Sequence, residues 1–206
     1  MKKIVIVLSL LFVLQAVGAG GYSRDDEHDT LFEKNELLLD MHSSSNEVID
    51  QSTPMGCCGF YNTFVAQSFR PTLHSLTRVE IPLFKYERAY GTVKLSIRNR
   101  LYGPDLTSIT LSIDKVPSES EYDWVEFDFE DIDVIPGQRY YMVFTLNDGI
   151  RAENNEEVFW IMSLNNPYLK GKPYQFYRYI WLPLWLLTPK FPDCSFRTYG
   201  YESGVF

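Results

Sequence analysis

From Glu47 onward the 206-residue chain alternates apolar and polar side chains with a period of two, and no long stretch there follows the 3.6-residue period of a helix. Successive side chains of a strand point to opposite faces, so this alternation confines the chain to half-buried sheets. Val93, Leu95 and Ile97 share one face against Thr92, Lys94, Ser96 and Arg98. Ile109, Leu111 and Ile113 repeat the pattern against Thr110, Ser112 and Asp114, and Val125, Phe127 and Phe129 repeat it against Glu126, Asp128 and Glu130. Val79, Ile81 and Leu83 alternate with Arg78, Glu80 and Pro82, where the proline suggests an edge strand or a bulge. Tyr140 to Leu146 is apolar on both faces, which suits a central, covered strand. Further strands are expected at Val48–Gln51, Phe64–Phe69, Glu157–Ser163, Tyr174–Tyr179 and Cys194–Tyr199.

Turn signals separate these runs: Tyr102-Gly103-Pro104-Asp105, Pro136-Gly137, Asn147-Asp148-Gly149, Asn166-Pro167 and Lys170-Gly171-Lys172-Pro173. Nine or ten short strands at such spacing predict an all-β, two-sheet antiparallel β-sandwich, with a jelly roll as the expected topology. The aromatic content of 16% agrees, since large flat rings favour strands and binding surfaces.

The N-terminus reads differently. Lys2-Lys3, an apolar run from Ile4 to Val17 and the small residues Val17-Gly18-Ala19 form the three-part layout of a secretory signal, expected over residues 1–19. That run is too short to span ~30 Å of hydrocarbon comfortably, and no Cys follows it to carry a lipid anchor. The alternative is an uncleaved anchor or a buried helix. Residues 20–46 are polar and offer too little apolar surface to offset the entropy of ordering, so a linker is expected there. Within it Thr30–Met41 has the start of a short helix, with Thr30 as N-cap and Glu33 three residues on. The sandwich is expected over 47–206. A net charge of −8 argues against nucleic-acid phosphates and anionic membranes as partners, and after cleavage no stable membrane span remains.

Several fragments occur in a familiar order: Ile49-Asp50-Gln51, Ala66-Gln67-Ser68-Phe69-Arg70-Pro71, the strand Thr77 to Leu83, Trp124 to Phe129, and Ile135-Pro136-Gly137-Gln138-Arg139-Tyr140-Tyr141. Trp160, Asn166-Pro167-Tyr168 and Phe196-Arg197-Thr198-Tyr199-Gly200 close the series. The set resembles the jelly-roll β-sandwich modules labelled choice-of-anchor domains, carried by exported archaeal and bacterial proteins and similar in shape to carbohydrate-binding modules. The resemblance spans Glu47 to Gly200 and implies the fold, but no activity, because those modules share no catalytic residues. The chain departs from the pattern at Met55-Gly56-Cys57-Cys58-Gly59 and at the apolar run Tyr179 to Leu187.

Motifs for nucleophilic, metalloprotease and phosphate-binding chemistry are missing. His28 and His42 fall in the linker, and His74 lacks evident partners for general-base work. A glycosidase needs only two carboxylates, and nothing singles out a pair. Neighbouring Cys57 and Cys58 would close a strained ring, so the expected disulfide is Cys58–Cys194, worth ~4 kcal/mol by chain entropy; three unpaired thiols are the alternative. Too few His and Cys are present for a multi-ligand zinc site. Glu126, Asp128 and Glu130 on one strand face would repel one another, which motivates a structural calcium ion there against the plainer reading of a solvated acidic face.

The aromatic C-terminal third is the strongest functional signal. Trp160, Tyr177, Trp181 and Trp185 are the candidate ligand-binding rings, with Phe159, Phe176 and Ile180 read as interleaved core. The expectation is a secreted, non-catalytic module at the cell surface with carbohydrate as preferred ligand. The alternatives are a protein–protein or self-association surface on the same apolar run, and a carboxylate-based polysaccharide hydrolase.

Overall fold

In the computed structural model the described residues are 46–60, 64–147, 157–186 and 192–202, with only the backbone described at Asn147 and Trp185. The expected signal and nearly all of the linker, including the Thr30–Met41 helix, lie outside the described residues. Thirteen strands occur among the described residues: β1 Glu47–Ser52, β2 Cys58–Phe60, β3 Phe64–Phe69, β4 Ser75–Lys85, β5 Thr92–Arg98, β6 Thr107–Ser112 and β7 Asp123–Asp133. The others are β8 Tyr140–Asn147, β9 Val158–Ser163, β10 Pro173–Tyr177, β11 Ile180–Pro183, β12 Asp193–Cys194 and β13 Arg197–Tyr201.

They form two antiparallel sheets. The first runs β1-β13-β4-β9-β12, with β7 added to β4 and β2 added to β9; the second runs β11-β10-β3-β8-β5-β6. From β3 to β10 the chain changes sheet at every step except the β5–β6 hairpin. Inward residues of both sheets interleave: Val79, Ile81, Leu83, Val125, Phe127, Val158 and Trp160 from one, and Val65, Phe69, Val93, Leu95, Ile97, Met142 and Phe144 from the other. The two-sheet β-sandwich is therefore the observed fold, with β8 in the covered central position expected of Tyr140 to Leu146.

Two expectations need correction. Pro82 lies on a strand flanked on both sides, not at an edge. It falls where the neighbour on one side changes from β13, paired as far as Glu80, to β9, paired from Leu83, so the missing N–H interrupts neither ladder. The irregularity of β4 sits at Leu76/Arg78 instead. The second correction is β2, which the alternation did not disclose. To reach it the chain crosses over β9 at Gly56, where any Cβ would stand 2.0 Å from the Met162 carbonyl oxygen. Only glycine fits there.

Apolar faces alone do not fix how two sheets register, because the hydrophobic effect is non-directional. At one end a buried polar set does so. The Gln67 side chain on β3 donates through Nε2 to Asp193 Oδ1 (3.2 Å) and accepts through Oε1 from the Cys194 N–H on β12 (3.0 Å). Asp193 Oδ2 accepts the Tyr168 N–H at 3.0 Å, and the Tyr168 hydroxyl meets the Arg70 N–H and Gln51 Oε1 on β1. Trp160 Nε1 donates to the Ser195 carbonyl at 2.7 Å. Asp193 is fully buried, and burial raises its pKa from 3.8 to about 6 against the lowering effect of its two neutral donors, Tyr168 and Gln67.

That shift ties stability to pH. Below about 4 the carboxyl is protonated whether folded or unfolded. Between about 4 and 6 the unfolded chain loses this proton first, so stability falls as pH rises; above 6 the penalty is complete at about 3 kcal/mol. Glu80 and Asp105, both held below their ordinary values, act in the opposite sense and lose their contribution as pH falls. Replacing Asp193→Asn removes the first effect and leaves the others. Urea unfolding at pH 4 and pH 7.5 should show the change between these conditions differing by about 3 kcal/mol between variant and parent. Parallel profiles would mean that Asp193 does not carry this proton.

Candidate functional site

The outward face of the six-stranded sheet carries the site. Val65 and Phe69 of β3 point into the core, so Phe64, Ala66 and Ser68 point out. Phe176 of β10 lies beside Phe64, with ring centroids 5.6 Å apart, and Trp181 of β11 pairs directly with Phe176 at 5.3 Å. Three aromatic rings thus stand in a row across β3, β10 and β11. The row continues through Thr145 to Lys94 on β5, by the register Phe64↔Thr145↔Lys94.

The β5–β6 connection closes over this face. Asp105, in the turn foreseen from Tyr102-Gly103-Pro104-Asp105, accepts from three successive outward residues of β5: Lys94 Nζ (2.7 Å), Ser96 Oγ (3.0 Å) and Arg98 Nε (2.7 Å). Burial alone would raise the Asp105 pKa, but the hydrogen bonds from Lys94, Arg98 and Ser96 outweigh it and hold the carboxylate ionised. From the same turn Tyr102 reaches to the far edge of the sheet, where its hydroxyl accepts the Trp181 N–H at 2.8 Å. Phe64, Arg98, Tyr102, Phe176 and Trp181 line an open cavity of about 220 Å³. A second, wider depression of about 580 Å³ is lined by Lys85–Arg88 and Ser118–Ser120 and holds one aromatic ring, Tyr86.

Of the three expected rings whose side chains are described, Trp181 alone joins this cavity. Trp160 is corrected to a core residue: its side chain is fully buried between the sheets, edge-on to Phe144 at 5.9 Å, with its N–H committed to Ser195. It offers no face to a ligand. Tyr177 is half-exposed but belongs with Ile180 on the opposite face from Phe176 and Trp181, under the Arg178 guanidinium. The Trp185 side chain lies outside the described residues. Phe176 and Ile180, read as core, are half-buried and half-exposed respectively. The β10–β11 hairpin turns on Arg178 and Tyr179, both at positive φ, as a two-residue type I′ turn requires, and Tyr179 projects into solvent.

Phe64, Arg98, Tyr102 and Phe176 were not singled out as site residues in the sequence. Phe64 and Phe69 lie at opposite parity in one strand, so alternation cannot say which of them faces out.

The acidic strand β7 exposes Glu126, Asp128 and Glu130 on one face, as expected. Protein groups meet part of this charge. Arg78 Nη1 lies 3.0 Å from both Glu126 and Glu80, while its guanidinium stacks on Tyr199 at 3.5 Å. Asp128 faces Arg78 across the strand pair. Among the described residues no group of three or more His, Cys, Asp or Glu side chains is arranged to hold a metal ion. The Cys58–Cys194 disulfide is also corrected. Both residues pair with Met162, but Met162 and Ile161 carbonyls, pointing to opposite edges of β9, accept from Cys57 and Ser195 respectively. Strand β9 therefore separates the two cysteines by about 10 Å, beyond the ~7 Å limit for a bridge.

No family model matches the chain, and no curated protein matches it. Among solved structures, the crystal structure of the cysteine protease and lectin-like domains of Cwp84, a surface layer associated protein of Clostridium difficile, is similar at a TM-score of 0.43 and 10% identity. The alignment covers 78% of this chain and 37% of that one, and a likeness of this depth assigns no family. No helix among the described residues is long and apolar enough to cross a membrane.

The two tryptophans should separate experimentally. Trp160→Ala is expected to lose roughly 3–5 kcal/mol of stability, as a large buried ring does, and Trp181→Ala roughly 1 kcal/mol. Denaturant midpoints measure both; equal losses would contradict the assignment of Trp160 to the core and Trp181 to the cavity.

Proposed function

We propose that this chain is an exported, non-catalytic β-sandwich module that binds carbohydrate on the outward face of its six-stranded sheet. The observation that carries the reading is the open cavity lined by Phe64, Arg98, Tyr102, Phe176 and Trp181. Flat apolar rings suit the apolar faces of a sugar, and the fixed charges of Arg98, Lys94 and Asp105 beside them suit its hydroxyls. At about 220 Å³ the space falls below the roughly 300–1,000 Å³ of drug-sized ligand sites, which favours one sugar ring over a long segment.

A carboxylate-based hydrolase finds less support in the same geometry. Asp193, with the raised pKa a general acid needs, is fully buried. Glu80 is lowered: burial would raise it, but Tyr199, Arg197 and Arg78 bond its ionised form. A second binding reading has its own observation, because β11 ends the sheet with Ile180 half-exposed beside Tyr177 and Tyr179. An apolar edge strand of this kind is a template for pairing with another chain.

Glycan-array screening followed by titration calorimetry tests the main reading. Trp181→Ala should weaken binding of any hit by about tenfold or more, as loss of a central aromatic anchor does. Undiminished binding would remove the cavity from consideration. Light scattering tests the second reading: self-association raises the mean mass with concentration, and a clean monomer at high concentration would set it aside.

A further inference from the structure

The chain has three cysteines, and the structure describes all of them. Cys194 is fully buried on β12, with burial raising its thiol pKa well above the ordinary value, and β9 stands between it and the other two. Cys57 is exposed and Cys58 half-buried, and their Sγ atoms lie 3.0 Å apart. That is inside the roughly 3.5–4.0 Å at which even non-bonded carbons rest, and about 1 Å from an S–S bond. The backbone around them is fixed from both directions. The Gly56 N–H donates to Ser195 Oγ at 3.0 Å and the Cys57 N–H to the Met162 carbonyl at 3.1 Å, while Cys58 pairs with Met162 in β2. Gly56 itself presses against the Met162–Ser163 peptide, so the turn has little freedom to carry the sulfurs apart.

We propose that Cys57 and Cys58 are a redox-active vicinal dithiol, closed to a disulfide by a small-molecule disulfide oxidant. The exposed Cys57 thiolate attacks one sulfur of the oxidant, forming a mixed disulfide and releasing one thiolate. The Cys58 thiolate then attacks Cys57 Sγ, forming the Cys57–Cys58 bond and releasing the second thiolate. The protein is oxidised by two electrons, the oxidant is reduced to two thiols, and the two protons from the cysteines end on those thiols. Ring strain opposes closure, and the held sulfur–sulfur approach favours it.

The test uses the full chain, reduced and then equilibrated with oxidised glutathione, alkylated with iodoacetamide in urea without further reduction, and digested with trypsin. Because Arg70 precedes Pro71, Cys57 and Cys58 fall together on the peptide 35–78, while Cys194 falls on 191–197. The expected result is an unalkylated 35–78 peptide lighter than its reduced form by two hydrogen atoms, together with an alkylated 191–197 peptide. In Cys58→Ser the second step is lost, so Cys57 should retain one glutathione. Alkylation of both cysteines in the parent, a stable glutathione adduct there, or a cross-link to 191–197 or to a second chain would each overturn the proposal.

Discussion

The sandwich depends on a hydrogen-bonded bridge between its layers: Gln67 of one sheet against Asp193 and Cys194 of the other. The apolar interleaving of Phe69, Phe127, Phe144 and Trp160 supplies the larger share of burial, but it tolerates small slips between layers. Directional bonds in a dry interior do not, and leaving one partner unmet there is expensive. The bridge extends through Tyr168 to Gln51 and Arg70, and Phe196 packs edge-on to Tyr168 at 5.0 Å. Gln51, Gln67, Arg70, Tyr168 and Phe196 all belong to the sequence fragments noted at the outset, whereas Asp193 and Cys194 do not.

The acidic strand makes a related point about charge. Glu80 and Glu126 face one another across β4 and β7, an arrangement that would be repulsive alone. Arg78 lies against both, Arg197 meets Glu80 and stacks on Trp124, and Arg78 stacks on Tyr199. The outward side of the larger sheet is thus a mesh of guanidinium, carboxylate and ring, whereas the outward side of the smaller sheet gathers rings around a hollow. Two faces built from similar residue types differ in how their arginines, carboxylates and rings are paired.

Much of the fold was legible in the sequence because a single period governs it. Strands such as Thr92–Arg98 and Phe64–Phe69 have the limits the alternation implies, and the central position of Tyr140 to Leu146 follows from apolar residues at both parities. The short strand Cys58–Phe60 was hidden, since three residues establish no period and Gly56 before it and Gly59 within it read as a loop. The candidate face was harder still. Phe159, Trp160 and Ile161 occupy consecutive positions, so parity could not decide that Trp160 is interior. Tyr102 sits in a turn, and nothing local reveals that its hydroxyl will meet Trp181, 79 positions away. Which ring faces out is a property of the pairing of strands distant in sequence, and composition does not carry it.

The turn that carries Tyr102 and Asp105 is fastened at both ends of its span, to β5 by three charged or polar side chains and to β11 through one hydroxyl. The strap crosses this face of the sheet, and the hollow beside it stays open to solvent. An occupant therefore meets Tyr102 and Trp181 already joined, so part of the hollow's shape is set in advance by a single hydrogen bond between a tyrosine hydroxyl and a backbone amide.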